Sequence, residues 1–168
     1  FVASLDGPRD GDPILLREVG AVEGTRKLLD LELDLHTGTG PRHGVEGLPA
    51  LVELGAGSAE KSRIILDAMN AHETGNLFVP VDVSGEFLHD TAESLRAEYA
   101  GLRVEPEVAD ISGPLEISVS LPKPSWLALL GSTIGNFGPP SDERLLSRVA
   151  CHLGPTDRFL MGADLSPG

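Results

Sequence analysis

The sequence predicts an α/β fold built on a mostly parallel, doubly wound sheet of about five strands, fewer than a complete domain of that kind would have. Three observations point there. From Pro49 onward, short apolar runs alternate with amphipathic helical patterns, as βαβ units with right-handed crossovers require. A Gly-x-Gly turn, Gly55-Ala56-Gly57, follows the first apolar run. Acidic residues, Asp82, Asp110 and Asp164, stand where later runs end.

The elements follow in order. Residues 1–47 are rich in Gly, Pro, Asp and Glu and read as irregular, except that Leu29 to Leu35 alternates strictly between apolar and acidic. That period of two suggests a strand with one wet face, although Leu, Glu and Asp are weak strand formers. His36 to Gly47 reads as a linker. Leu51 to Leu54 is the first strand of the regular region, and a helix from Ala59 to Ala71 follows, with Ile64, Ile65, Ala68 and Met69 at helical spacing. Leu77 to Val83 is the second strand. Gly85 to Tyr99 is a helix with Leu88, Ala92, Leu95 and Tyr99 on one face. Leu102 to Val108 forms the third strand and Trp126 to Leu130 the fourth. Ser141 is expected to cap a third helix, whose N-terminus Asp142 and Glu143 suit. Phe159 to Met161 is the fifth strand. The chain therefore divides into a divergent N-terminal segment and linker, residues 1–47, and a Rossmann-like core, residues 48–168.

Bulk properties narrow the function. The chain has 168 residues, enough for one domain with a sizeable core. Only 4% are aromatic, so Leu, Val, Ile and Ala must fill that core. A net charge of −13 argues against nucleic acid as a partner, because phosphate binding needs clustered Lys and Arg. It leaves room for a small cationic or zwitterionic substrate. The one cysteine, Cys151, cannot form an internal disulfide and is expected to be a small buried hydrophobe. No apolar run approaches the ~20 residues of a membrane span, and the first residues lack the basic-then-apolar pattern of a signal peptide. These features point to a soluble, cytoplasmic protein with no membrane partner.

Ligands of an open α/β sheet bind where strands end. A glycine turn there allows a sharp bend and a close ligand approach, and the helix that follows aims free N–H groups at the ligand. Asp82 closes the second strand 25 residues after Gly57, where a carboxylate can accept hydrogen bonds from ribose hydroxyls. Asp110 ends the third strand and can accept from an adenine amino group. Together these describe an adenosine site. A dinucleotide fingerprint needs a third glycine, but Glu60 stands at that position, followed by Lys61. A carboxylate facing a pyrophosphate is unfavourable, whereas Lys61 can pair with the carboxylate of S-adenosylmethionine. The histidines, His36, His43, His72, His89 and His152, show no metal-ligand spacing. There is no nucleophile elbow and no Gly-x-x-x-x-Gly-Lys-Ser phosphate loop.

Three segments resemble the histidine-specific Nα-methyltransferases that begin ergothioneine biosynthesis. They are Leu51-Val52-Glu53-Leu54-Gly55-Ala56-Gly57-Ser58-Ala59-Glu60-Lys61-Ser62-Arg63, Phe78-Val79-Pro80-Val81-Asp82-Val83 and Gly131-Ser132-Thr133-Ile134-Gly135-Asn136. The similarity runs from Pro49 to Leu165. It implies a class I methyltransferase fold and S-adenosyl-L-methionine as cofactor. By the same resemblance Gly55, Gly57 and Lys61 contact the cofactor, with Lys61 near its carboxylate. Asp82 holds the ribose, and Asp110 and Ile111 hold the adenine. Asn136 binds the amino-acid substrate beside the methyl donor and is the catalytic candidate. No metal is implied, and catalysis is mostly positioning.

Members of that family carry tyrosines in an N-terminal segment and continue beyond the fifth strand into a second, substrate-gripping domain. Residues 1–47 contain no Tyr, and the chain is expected to be truncated or divergent at both ends. The resemblance therefore implies an N-methyltransferase acting on the α-amino group of an amino acid, histidine foremost. A non-catalytic or truncated cofactor-binding remnant stands as the alternative, and an NAD-binding domain as a third.

Overall fold

The computed structural model describes residues 2–6 and 16–18 through their backbone, and residues 50–71, 75–131 and 133–162. Its core starts at β3 (Ala50–Leu54), every residue of which is buried. A strand in the middle of a parallel sheet that helices cover on both sides has no wet face, which is why it shows no alternation. β4 (Leu77–Asp82) pairs parallel to it on one side and β7 (Ser125–Leu129) on the other. Beyond β4 lie two short pieces, β5 (Arg103–Val104) and β6 (Glu107–Val108), both parallel to it. They are the single third strand of the sequence reading, interrupted at 105–106. Beyond β7 lies β8 (Arg158–Gly162), also parallel. The five parallel strands expected from the sequence are all present.

Helices cover both faces. α1 (Glu60–Ala71) and α2 (Gly85–Glu98) pack on one side, where Leu51, Phe78, Val104 and Leu160 of the sheet meet Ile65, Leu66, Met69, Ala92, Leu95 and the C-capping Tyr99 of the helices. The Tyr99 hydroxyl donates to Asp67 Oδ1 (2.8 Å), tying the end of α2 to α1. α3 (Ser141–His152) packs on the other side through Leu145 and Val149, against Val52, Leu54, Leu127, Leu129 and Phe159. Alternate residues of β3 thus serve opposite layers, as the pleat dictates.

Two details differ from the sequence reading. Pro140, not Ser141, occupies the cap position of α3, because the Gly138-Pro139-Pro140 turn delivers the Pro140 carbonyl to the N–H of Arg144 (3.2 Å). Ser141 instead donates its N–H back to the Gly138 carbonyl (2.7 Å). Cys151 is exposed, not buried. It lies two residues beyond Val149, about 200° around the helix from the buried stripe.

The N-terminal segment adds to the sheet. β1 (Val2–Asp6) runs antiparallel along the whole of β8, from Val2 opposite Gly162 to Asp6 opposite Arg158. β2 (Leu16–Glu18) pairs antiparallel with β1. The full order is β2-β1-β8-β7-β3-β4-β5, with β6 also on β4. Residues read from sequence as irregular therefore cover what would be a bare β8 edge. The expected strand at Leu29–Leu35, the linker from His36, and Asp164 lie outside the described residues.

The chain steps outward from β3 to β4 and on to β5, then crosses back over to β7 on the far side of β3. This reversal makes a switch point, and its crevice opens at the C-terminal ends of β3 and β7.

Candidate functional site

Most of the sequence-derived candidates converge at that crevice. β3 ends in a turn whose first two N–H groups, of Gly55 and Ala56, both donate to the Val81 carbonyl (2.8 and 3.0 Å). This clips the ends of β3 and β4 together. Gly55 has φ +71°, and a Cβ there would lie 2.9 Å from Thr133 Cγ2 and 3.8 Å from Ile111 Cδ1. Three distant stretches, at 55, 111 and 133, thus meet around one missing side chain. Gly57 and Ala59 also take positive φ, +51° and +54°. For a buried alanine this is a strained conformation, fixed here because Ala59 N–H bonds to the Ala56 carbonyl (2.8 Å) just before α1 begins.

Asp82 ends β4 with both carboxylate oxygens engaged. Oδ2 accepts from the Gly57 N–H (3.0 Å) and Oδ1 from the Ser84 N–H (3.1 Å). It therefore acts as a turn-setting residue and orders the glycine turn itself. An ionised carboxylate has about four acceptor sites, so capacity for a diol remains. The carbonyl of Gly57 is held in turn by the Thr91 hydroxyl (3.1 Å).

Lys61, in the first turn of α1, crosses to the end of β7. Its Nζ lies 2.9 Å from where a Cβ of Gly131 would be, and Gly131 has φ +73°. Thr133 follows, its hydroxyl donating to the Leu130 carbonyl (2.8 Å). That bond starts the 3-10 turn Thr133–Asn136, at whose end Asn136 is exposed. Asp110 lies past β6 and is exposed, while Ile111 is buried. Hydrogen bonds from Ser112 hold the Asp110 carboxyl below its usual range, with a smaller contribution from the charge of Arg148. Glu60, exposed, opens α1 where a dinucleotide-binding turn would have its third glycine.

Sequence reasoning missed three contributors. Glu53 is almost fully buried, and the Ser62 hydroxyl donates to it. Burial pushes its pKa up to about 7, against the opposing pull of Ser62 and Lys61. A carboxylate inside an otherwise apolar strand was the available signal. Thr133 fits against Gly55, and Arg148 reaches the 111–112 carbonyls, through contacts that span 78 and 37 positions. Thr133 stands within the Gly131–Asn136 segment that the sequence already singles out, but nothing local marks Gly55 as its partner, and nothing local marks Arg148 at all.

The arrangement fits an adenosyl cofactor that carries an amino-acid tail. The glycine cradle admits close backbone approach, Lys61 supplies a cation beside it, and the carboxylates of Asp82 and Asp110 stand at successive strand ends. Among the described residues, no group of three or more His, Cys, Asp or Glu could hold a metal, and no helix is long and apolar enough to cross a membrane.

Comparison with known proteins places these features in context. Residues 38–167 match the family model described as histidine-specific methyltransferase, SAM-dependent. The histidine N-alpha-methyltransferase of Mycolicibacterium smegmatis is 37% identical over 119 residues, 71% of this chain and 37% of that protein. The enzyme of the same name from Mycobacterium tuberculosis is 36% identical over 117 residues, 68% of this chain and 36% of that one. The chain thus spans little more than a third of the length of these curated relatives. Among solved structures, the CMeT domain of a citrinin polyketide synthase superposes with TM-score 0.54 at 13% identity, covering 81% of this chain and 34% of that one. PKMT2 from Rickettsia typhi gives 0.50 at 16% identity, covering 71% and 21%. At those identities the likeness speaks to the fold.

Proposed function

The chain belongs to the histidine-specific, S-adenosylmethionine-dependent methyltransferase family, and from that premise we propose that it forms the cofactor-binding core of an N-methyltransferase acting on the α-amino group of an amino acid, L-histidine. Such a reaction would open an ergothioneine-like pathway. The observation that carries this reading is the packing of Gly55 against Thr133 and Ile111, with Lys61 laid across Gly131. Any side chain at 55 would close the cradle.

Each residue has a role set by its chemistry. Lys61 offers a flexible ammonium to a carboxylate. Asp82 accepts from vicinal hydroxyls, and Asp110 from an exocyclic amine. Asn136, exposed at the end of the 3-10 turn, offers a neutral amide that can orient the substrate amine without adding charge. S-adenosylmethionine, when bound, supplies an electrophilic methyl group. A protonated amine has no lone pair to attack it, so the substrate amine must be neutral at the moment of transfer. The protein's contribution is mostly to fix the approach, which can be worth several powers of ten in rate.

The test uses the full chain and Asn136→Ala. With S-adenosylmethionine and histidine, the parent chain should form methylated histidine. The variant should lose that activity while binding S-adenosylhomocysteine within about twofold of the parent, because Asn136 is assigned to substrate. Loss of cofactor affinity in the variant would overturn that assignment. A parent chain that binds S-adenosylhomocysteine but neither binds nor methylates histidine would instead be a cofactor-binding core without its own substrate half.

A further inference from the structure

Asp110 and Ile111 sit in a turn, and a turn can hold a purine in register only if something outside it fixes its position. Internally the turn is closed by the Gly113 N–H on the Asp110 carbonyl (3.0 Å) and the Ser112 N–H on Asp110 Oδ1 (2.8 Å). Externally it is held from a different layer. Arg148, on α3, donates from Nη2 to the Ile111 carbonyl (3.1 Å) and to the Ser112 carbonyl (3.0 Å). α3 is itself seated on the sheet by Leu145 and Val149, neither with any exposed surface. The guanidinium therefore transmits the position of a rigid helix to a turn that has no regular structure of its own.

The rest of Arg148's environment argues that it is not there for stability. Among the described residues it forms no ion pair, and its Nε is buried without a hydrogen-bond partner. A buried unpaired donor costs stability, and a cation facing main-chain carbonyls gains less than one facing a carboxylate. The planar fork is nonetheless well suited to bridging two adjacent carbonyls, which the point charge of a lysine is not.

We infer that Arg148 is a positioning residue for cofactor recognition: it pins the Asp110–Gly113 turn to α3 so that the Asp110 carboxylate meets the exocyclic amine of the adenine. The inference rests on the adenosine reading proposed above and extends it from the residues that touch the base to the one that aims them. Base specificity is then set from α3, the only element on that face of the sheet to reach the turn through a side-chain hydrogen bond among the described residues.

The experiment compares two probes by calorimetry on the full chain. One is S-adenosylhomocysteine. The other is S-inosylhomocysteine, in which a carbonyl oxygen replaces the amine and so faces a carboxylate acceptor. The parent should prefer the adenine form by about tenfold or more, since a site built to pair a polar group rejects the analogue that leaves it unpaired. Arg148→Met, which keeps the apolar stem, should bind S-adenosylhomocysteine about tenfold more weakly and show a preference within about twofold of unity. Arg148→Lys should fall between the two. A merely structural role would weaken both probes alike and leave the ratio unchanged, and that result overturns the inference. If Arg148→Met fails to fold by its melting profile, Arg148→Lys decides by the same ratio. A parent that binds neither probe overturns the adenosine reading itself, and one that binds both equally removes Asp110 from the adenine amine and the inference with it; either failure is visible before any variant is made.

Discussion

Replacing Glu53 by glutamine should remove a pH-dependent weakness from the centre of the sheet. Glu53 lies in β3 with 3% of its surface exposed and the Ser62 hydroxyl as its hydrogen-bond partner. Burial, partly offset by Ser62 and by the charge of Lys61, raises its pKa from 4.5 to about 7. Below pH 4.5 the carboxyl is neutral in both folded and unfolded chains. Between 4.5 and 7 the unfolded chain gives up the proton while the folded one keeps it, so stability falls as pH rises through that window. Above 7 both states are ionised and the loss is complete. A shift of this size corresponds to about 3 kcal/mol. Glutamine has nearly the same shape, can still accept from Ser62, and does not titrate. Urea unfolding of both proteins from pH 4.5 to 8 isolates the effect, because every other titrating group is common to the pair and cancels in the difference. The stability of Glu53→Gln relative to the parent should rise by about 3 kcal/mol across the window and then level. A difference that stays flat would mean that Glu53 ionises freely inside the fold, and the physical account of its burial would be wrong.

Other outcomes follow from the same structure. Gly55→Ala should weaken S-adenosylhomocysteine binding by at least about tenfold and lower stability, since positive φ costs an alanine roughly 1–2 kcal/mol and its Cβ would meet Thr133 at 2.9 Å; unchanged affinity would remove the cradle from the site. Asp157, with no exposed surface, accepts from the Ser125 N–H (2.7 Å), the Ser125 hydroxyl (3.1 Å), the Gly154 N–H (2.8 Å) and Lys123, at the end of the sheet opposite the crevice. Burial alone would raise its pKa, but these partners outweigh it and hold the carboxyl below 3.8. The stability it contributes is therefore present above pH 3.8 and lost below it. Asp157→Ala should cost about 2–4 kcal/mol in denaturant unfolding with cofactor affinity unchanged. Deleting residues 1–18 should uncover the edge of β8 and promote self-association, read as a larger species by light scattering; a monomer of unchanged stability would contradict the pairing of β1 with β8.

What the sequence made legible was what local pattern encodes. Buried parallel strands announce themselves as apolar runs, and four of the five are legible in that way; the third, split into β5 and β6 at the sheet edge, leaves Arg103 and Val108 exposed and is legible only as an extended segment between a helix and a turn. Leu88, Ala92, Leu95 and Tyr99 were assigned to one helix face, and all four are buried. The glycine turn and Asp82 were legible because a sharp turn and a polar strand end are local requirements, and the structure joins them directly through the Gly57–Asp82 hydrogen bond. Long-range pairing was not legible. Val2–Asp6 carries no strong strand signal, and its place depends on an antiparallel partner more than 150 residues away in β8. Cys151 was misjudged because residue type predicts burial only on average, whereas the helix phase set by Leu145 and Val149 decides it. The roles of Thr133 and Arg148 exist only once three or more elements have been assembled.

The most direct test of the central claim is calorimetric titration of the full chain, first with S-adenosylhomocysteine and then with NAD. The cradle at Gly55, the cation of Lys61 and the glutamate at position 60 predict that the first binds at a single site and the second does not. Binding of NAD in preference to S-adenosylhomocysteine, or of neither, would contradict the account.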